Sequence, residues 1–176
     1  MSIDELESAD LDWLGLAEPG WTSAKLQTVL TPKSYVSSPQ SPISVRYFTS
    51  EDQGLWAKAV FGPRTQGPPG FAHGGSMAAL LDEVMGAAAW ASGRMVVAAT
   101  MQVNYRQMLP IPQRCLVEAR VDRVEGRKVW TRAKLTDVSR TQLYSESEGL
   151  FLAMGAGVYE ALGGEDLLLR RNKEEH

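Results

Sequence analysis

The sequence predicts an α+β fold in which an antiparallel β-sheet wraps around one long central helix. Three observations lead to this prediction. Residues 74–91 are almost wholly apolar, and a helix that is hydrophobic all round must be enclosed by other elements. The segments before it are short and rich in β-branched and aromatic residues, and two of the segments after it alternate apolar and polar residues, as strands do when a sheet is packed on one side. Their order, β-β-α-β-β-β-β, is that of the hotdog fold.

Two strands precede the helix and four follow it. SVRYFTS and LWAKAVFG flank SEDQG, which is typical of a hairpin turn. Gly93 suits the left-handed position that ends a helix. The later strands are VVAATMQVNYR, CLVEARVDRV, VWTRAKLTDV and LYSESEGLFLAM. The expected core positions are Met77, Leu80, Leu81, Val84, Ala87, Ala88 and Ala91 on the helix, and Val117, Ala119, Val121, Val129, Thr131, Ala133 and Leu135 on the strands.

The chain divides into three predicted parts. Residues 1–42 have scattered apolar positions and a Ser/Pro-rich stretch, which predict an N-terminal extension with one short helix and a linker. Residues 43–160 form the hotdog domain. Residues 161–176 form a C-terminal tail, either a surface helix or a frayed end.

Composition narrows the class of protein. A formal net charge of -3 argues against mainly electrostatic binding to nucleic acid or to an anionic membrane. The single cysteine, Cys115, lies in an alternating strand pattern and is expected to be an ordinary buried thiol. No apolar run approaches the roughly 20 residues that cross a bilayer, and the acidic N-terminus resembles neither a secretory signal nor a transit peptide. We therefore expect a cytoplasmic protein.

The apolar helix contains two consecutive carboxylates, Asp82 and Glu83. No lysine or arginine lies three or four residues from Asp82 to pair with it. An unpaired buried carboxylate either raises its pKa or lines a wet site. The alternative is that both side chains face water at the rim of the sheet. The neighbours of Asp82 at these spacings are small or apolar, namely Gly75, Ala78, Ala79, Met85, Gly86 and Ala89.

His73, Gly74 and Gly75 open the helix. A Gly-Gly pair at this position leaves backbone N–H groups free at the positive end of the helix dipole. Such a site suits a phosphate, a carboxylate or a developing oxyanion. The alternative is that the glycines only turn the chain and that His73 is a hydrogen-bonded loop residue.

Gly74 and Asp82 are eight residues apart, or about 12 Å along a helix. Within one subunit they cannot both contact one small reacting group. If two helices lie antiparallel across a twofold axis, each Asp82 approaches the N-terminus of the partner helix. This geometry predicts a homodimer with a composite site.

Four segments together resemble a known family: GPPGFAHGGSMAALLDEVMG, MQVNYRQMLP, EGRK and LYSESEGLFL. They are similar to the hotdog acyl-CoA thioesterases, and most of all to the PaaI-like group that includes the human thioesterase superfamily members 4 and 5. The resemblance covers residues 44–154. It implies hydrolysis of an acyl-CoA substrate by a homodimer or a dimer of dimers, without a metal and without any cofactor beyond the coenzyme A of the substrate.

The resemblance also implies residue roles. Asp82 matches the acidic residue that activates water or attacks the thioester carbonyl directly. Gly74, with its neighbours His73 and Gly75, matches the helix N-terminus that polarises this carbonyl. The implied coenzyme A contacts are Asn104 and Arg106 for its pantetheine and nucleotide parts, and Arg127 and Lys128 of EGRK for its phosphates. EGRK taken alone also fits a plain hairpin turn with solvated charges.

The sequence departs from the family pattern at two positions. Where family members often have a threonine or serine that orients water, this chain has Ala98. The nearest hydroxyl is Thr100, which would share the face of Ala98 in a regular strand and is therefore a candidate catalytic residue. The usual Arg-Pro is Arg106-Gln107, which affects only the shape of a loop.

Three functions remain open. The preferred one is an acyl-CoA thioesterase with Asp82 as base or nucleophile. A hotdog dehydratase or hydratase would require a catalytic histidine with an acid in reach. A non-catalytic acyl-CoA-binding dimer is favoured only by the missing hydroxyl at Ala98. The sequence does not distinguish between acyl chains, or between coenzyme A and an acyl carrier protein.

Overall fold

An antiparallel sheet packs against one long helix in the computed structural model, which describes residues 8–24, 34–51, 54–155 and 157. The helices are Ser8–Gly15 (α1) and Gly74–Ala91 (α2), and a 3₁₀ turn spans Pro63–Thr65. The strands are Trp21–Ser23 (β1), Ile43–Ser50 (β2), Leu55–Phe61 (β3), Val96–Tyr105 (β4), Gln113–Glu125 (β5), Lys128–Asp137 (β6) and Leu143–Ala153 (β7). Among the described residues the sheet order is β1-β2-β3-β5-β6-β7-β4. The predicted hotdog fold is confirmed.

Helix α2 begins and ends where the sequence predicts. Gly93 adopts the left-handed conformation, with φ +86°, one residue after the C-cap. The next amide, of Arg94, donates to the carbonyl of Ala89 at 3.1 Å, which satisfies one of the last carbonyls of the helix. The apolar segment is therefore closed at its C-terminal end by local hydrogen bonds.

The core lies between α2 and the inner face of the sheet. The predicted core residues of the helix are buried except Ala91, and Met85 and Ala89 are buried with them. Ala91 is exposed because it is the last helical residue and lines an open cavity of about 450 Å³ with Thr49 and Ser92. The predicted inward strand positions are buried as well, apart from the half-buried Val121. Cys115 is a free buried thiol.

Residues 8–23 of the N-terminal extension pack on the outer face and the edge of the sheet, whereas Val36 is part of the core cluster that includes α2. Strand β1, which the sequence does not predict, pairs with β2. Helix α1 covers β3, where the buried Lys58 ammonium reaches the carboxylate of Glu18 at 2.6 Å and the Trp13 carbonyl at 3.3 Å. A second ion pair joins Arg114 to Asp10 at 2.6 Å. These contacts fix the short predicted helix against the domain.

Several predictions concern residues beyond those described. The C-terminal tail, 161–176, lies outside the described residues, as do 1–7 and 25–33 of the N-terminal extension. None of the described helices is long and apolar enough to cross a bilayer.

Strand β4 forms one edge of the sheet. It pairs with β7 on one side, and within the described residues its other edge has no partner strand. Val97 and Tyr105 on this strand are 50% and 51% exposed. A long edge strand with exposed apolar side chains is a template for pairing with another chain.

Candidate functional site

Asp82 lies at the middle of α2 and is half-buried. Burial, and then the neighbouring charge of Glu83, raise its pKa above the ordinary value of an aspartate. No described side chain donates a hydrogen bond or forms an ion pair with its carboxylate. A carboxyl group in this environment is a candidate base, because desolvation increases its affinity for a proton.

Glu83 has a different environment from its neighbour. Its Oε1 accepts hydrogen bonds from the hydroxyls of Ser34 at 2.9 Å and Ser37 at 2.8 Å. Because the Ser37 hydroxyl has one proton and directs it at Glu83, the Tyr47 phenol donates to Ser37 at 3.0 Å. The acid pair therefore consists of one anchored carboxylate and one open carboxylate, and Glu83 does not simply face water.

Sequence reasoning missed the partners of Glu83. Ser34 and Ser37 belong to a stretch that reads as a linker, so no contact with the helix was expected. One signal was available in β2, where alternation with Val45 turns the Tyr47 phenol inward. A buried tyrosine hydroxyl usually requires a hydrogen-bond partner.

The helix N-terminus has one free N–H group and not the two that the Gly-Gly pair suggests. His73 is the N-cap residue, and its Nδ1 accepts the Gly75 amide at 2.9 Å. Ser76 bonds to the His73 carbonyl through its amide and its hydroxyl. The Gly74 amide donates no hydrogen bond to any acceptor among the described residues. The His73 imidazole thus occupies the Gly75 N–H group, and the Gly74 N–H group remains as the candidate oxyanion donor.

Tyr105 joins strand β4 to this helix terminus. Its hydroxyl donates to the Gly74 carbonyl at 3.0 Å. A Cβ atom on Gly74 would lie only 3.3 Å from the Tyr105 ring, so a glycine allows the close approach. Sequence reasoning gave Tyr105 no role, although it follows Asn104 in one of the segments that carried the resemblance.

Asn104 and Arg106 lie at the same end of the subunit as Gly74, but on the outer face of the sheet. Asn104 is opposite Glu146 in the register, and the Arg106 guanidinium pairs with the Glu146 carboxylate at 2.6 Å. Both line a cavity of about 300 Å³ with Lys134. A ligand that reaches this cavity from Gly74 would have to pass the end of β4.

Arg127 and Lys128 lie at the opposite end of β4. The Arg127 guanidinium donates to the Ala153 carbonyl at 3.0 Å, and Ala153 is opposite Val96, the first residue of β4. The ten residues of β4 span about 30 Å. Within one subunit the structure therefore does not bring these basic residues to Gly74 or Arg106.

Thr100 does not share the face of Ala98. Ala98 is opposite the buried Phe151, whereas Thr100 is opposite Leu150, and the register shifts between them. Facing residues of paired strands point to the same side of a sheet, so Thr100 lies on the side away from the helix. The expectation that the two positions share a face is wrong, because a bulge inserts one extra residue, Ala99.

The geometry provides two reactive elements that are separated along one helix. A carboxyl group with raised proton affinity lies at the helix centre, and an unpaired N–H lies at its positive end. No group of three or more side chains that could hold a metal ion occurs within the described part of the chain. A base and an electrostatic donor are the two functions that hydrolysis of an acyl group requires.

Comparison with known proteins finds the same kind of domain. Residues 69–144 match a family model described as the thioesterase superfamily. Acyl-coenzyme A thioesterase THEM4 of Xenopus laevis is 33% identical over 93 residues, which are 53% of this chain and 42% of that protein. Acyl-coenzyme A thioesterase THEM5 of Homo sapiens is 28% identical over 93 residues, which are 53% of this chain and 38% of that protein. The matched segment spans less than half the length of either relative.

A solved structure agrees over a larger part of the chain. The crystal structure of a thioesterase superfamily protein has a TM-score of 0.65 and 25% sequence identity, and the match covers 82% of this chain and 72% of that one. The resemblance seen in the sequence is therefore confirmed at the level of fold and domain.

Proposed function

Because residues 69–144 carry a thioesterase-superfamily domain, we propose that this chain hydrolyses acyl-CoA thioesters to a free acid and coenzyme A. The observation that carries the proposal is Asp82, a half-buried carboxyl group with a raised pKa and no donor or cation among the described residues. The relatives named as acyl-coenzyme A thioesterases support the choice of substrate.

The reaction uses Asp82 as a base. Its carboxylate takes a proton from water while the water oxygen forms a bond to the thioester carbonyl carbon. The Gly74 amide donates to the oxygen that becomes negative, as an oxyanion donor does. The C–S bond then breaks, and the proton on Asp82 returns to the thiolate of coenzyme A. A direct attack by the Asp82 carboxylate on the carbonyl carbon would require the same two groups.

The two groups meet across a homodimer. The midpoint between Gly74 and Asp82 is Ala78, so a twofold axis that passes near Ala78 would place each Asp82 beside the partner subunit's Gly74. The helix surface there carries the small residues Gly75, Ala78 and Ala79, which permit close approach of a second helix.

The edge of β4 supports the same dimer. Two β4 strands paired antiparallel would continue the sheet through the free edge of each subunit. This pairing also brings the partner subunit's Arg127 and Lys128 toward the end of β4 that carries Arg106. Basic groups from both subunits would then be available to the phosphates of one coenzyme A.

A subunit-mixing experiment tests the composite site. Asp82→Asn and Gly74→Pro each disable one half of the site, and both homodimers should be inactive. Random reassociation of equal amounts makes about half of the dimers mixed, each with one intact site, so about a quarter of the wild-type activity should return. If base and donor acted within one subunit, mixing would restore nothing. Two samples of the same variant, mixed in the same way, are the control.

The activity itself is tested by thiol release from a panel of acyl-CoAs of varied chain length. We expect turnover with at least one chain length, and the preferred length would define the substrate class. An acyl-pantetheine of the same length is the matched comparison, because it lacks the nucleotide phosphates. Binding of acyl-CoA without thiol release would overturn the proposal in favour of a binding protein, and hydration of a 2-enoyl-CoA would favour a hydratase.

A further inference from the structure

We propose that Glu83 is a positioning residue for Asp82, because its anchored negative charge makes the Asp82 carboxylate a stronger base. This inference rests on the proposed function, in which Asp82 takes a proton from water. Two consecutive carboxylates of α2, Asp82 and Glu83, have different partners.

The Glu83 charge is held in place by the segment 34–37 and, behind it, by strand β2. Hydroxyls of Ser34 and Ser37 donate to the same carboxylate oxygen at 2.9 and 2.8 Å. Behind them the Tyr47 phenol of β2 donates to Ser37. Burial raises the pKa of Tyr47, and the Glu83 charge raises it further, so the phenol stays protonated and remains a donor. The network prevents Glu83 from swinging into solvent.

No cation offsets the pair among the described side chains that face the helix. Besides apolar and hydroxyl side chains, the inner side of the sheet carries three titratable groups on β5, β6 and β7. They are Cys115, whose pKa is raised by burial and then by the Asp137 charge, Asp137 itself at the end of β6, and Tyr144 in the core. Further phenols come from Tyr47 of β2 and Tyr105 of β4, and Arg46 and Lys58 lie on the opposite side of the sheet. His73 caps the helix about 13 Å away along its axis, and in the proposed dimer the partner subunit's His73 is the titratable group that approaches Asp82.

Two adjacent carboxylates of like charge resist simultaneous ionisation, and their environments decide which one binds a proton more readily. Glu83 has two hydroxyl donors and Asp82 has none. The pKa of Asp82 is raised, with burial as the largest cause and the Glu83 charge as the second. A base with increased proton affinity removes a proton from water more readily, as long as it is ionised at the working pH.

The test separates the charge of Glu83 from its role as an anchor. Glu83→Gln keeps the size and the acceptor oxygen but removes the charge, whereas Glu83→Asp keeps the charge and shortens the side chain. The readouts are the pH dependence of kcat/KM and the ¹³C-NMR titration of the Asp82 carboxyl, whose signal is identified by its absence from Asp82→Asn.

In Glu83→Gln we expect the acid limb of the pH profile and the Asp82 titration to move to lower pH. The plateau rate should fall by less than roughly tenfold, against ~10²–10⁴-fold for loss of a base itself. In Glu83→Asp the acid limb of the pH profile and the Asp82 titration should both stay close to those of the wild type. If Glu83→Gln does not fold, the double variant Ser34→Ala/Ser37→Ala, which releases the charge from its anchor, should move the Asp82 titration in the same direction.

An unchanged Asp82 titration in Glu83→Gln, or in the double variant, would overturn the proposal and leave Glu83 as an anchor for residues 34–37. Failure of the proposed function looks different. The wild type would then release no thiol although the Asp82 titration still shifts in Glu83→Gln, and the catalytic role of Glu83 would fall with that of Asp82.

Discussion

Replacing Asp82 with asparagine should lower kcat for acyl-CoA hydrolysis by ~10²–10⁴-fold, the usual effect of losing a general base. Asparagine has nearly the same shape as aspartate but cannot take a proton from water. The loss corresponds to about 3–5 kcal/mol in the activation free energy. KM should change much less, because the proposed contacts with coenzyme A lie elsewhere. Thiol release under saturating substrate, with the dimer verified by light scattering, measures the effect.

The same substitution should not destabilise the protein at neutral pH. The folded-state pKa of Asp82 lies above the ordinary value of 3.8, so the folded chain binds the proton more tightly than the unfolded chain. Stability contributed by this group is therefore lost as the pH rises from about 4 through the raised pKa. Above that range the ionised Asp82 weakens the fold, and asparagine removes this effect.

Thermal unfolding over a pH series provides the control for the kinetic result. The melting temperature of Asp82→Asn should equal or exceed that of the wild type at neutral pH, and the difference should shrink toward pH 4. Activity within a few-fold of the wild type would contradict the proposed role of Asp82. If the variant melted well below the wild type at neutral pH, Asp82 would be making a stabilising contact, and its burial in the ionised form would not be weakening the fold.

The elements of the domain were predictable because their signals are local. The apolar run of residues 74–91 with Gly93 beyond it determined the bounds of α2. Six strands were located from β-branched and aromatic segments between turn signals and, for β5 and β6, from period-two alternation. The three-residue strand β1 was not predictable, because WTS has too few residues to show a period. It is a strand only because β2 offers it an edge.

The site was predictable only in part, because three of its features depend on tertiary contacts. A one-residue bulge moves Thr100 to the far side of the strand, and a single inserted residue leaves no mark in the sequence pattern. The Gly75 amide is occupied because the His73 imidazole folds back onto it. A loop sequence does not specify this side-chain conformation. The partners of Glu83 come from residues 46 and 49 positions away in the chain.

Gly74→Pro should lower kcat by ~10²–10³-fold, because proline removes the backbone N–H at the start of α2 that no described residue accepts and that is proposed to stabilise the oxyanion. Gly74 is the first residue of α2, where proline fits a helix well, since that amide has no partner inside the helix. The preceding residue also tolerates the change. His73 has φ -66° and ψ 136°, within the extended region that a residue before proline prefers.

Gly74→Ala is the matched control. Its Cβ atom meets the Tyr105 ring at 3.3 Å, a crowding that the proline ring shares, but alanine keeps the N–H group. Alanine should therefore reproduce the steric part of the effect and leave the electrostatic part intact. A large difference in kcat between the two variants, with similar melting temperatures, would assign the loss to the missing donor. Equal kcat values would mean that the Gly74 amide does not contact the reacting carbonyl, and would transfer the oxyanion role to another group.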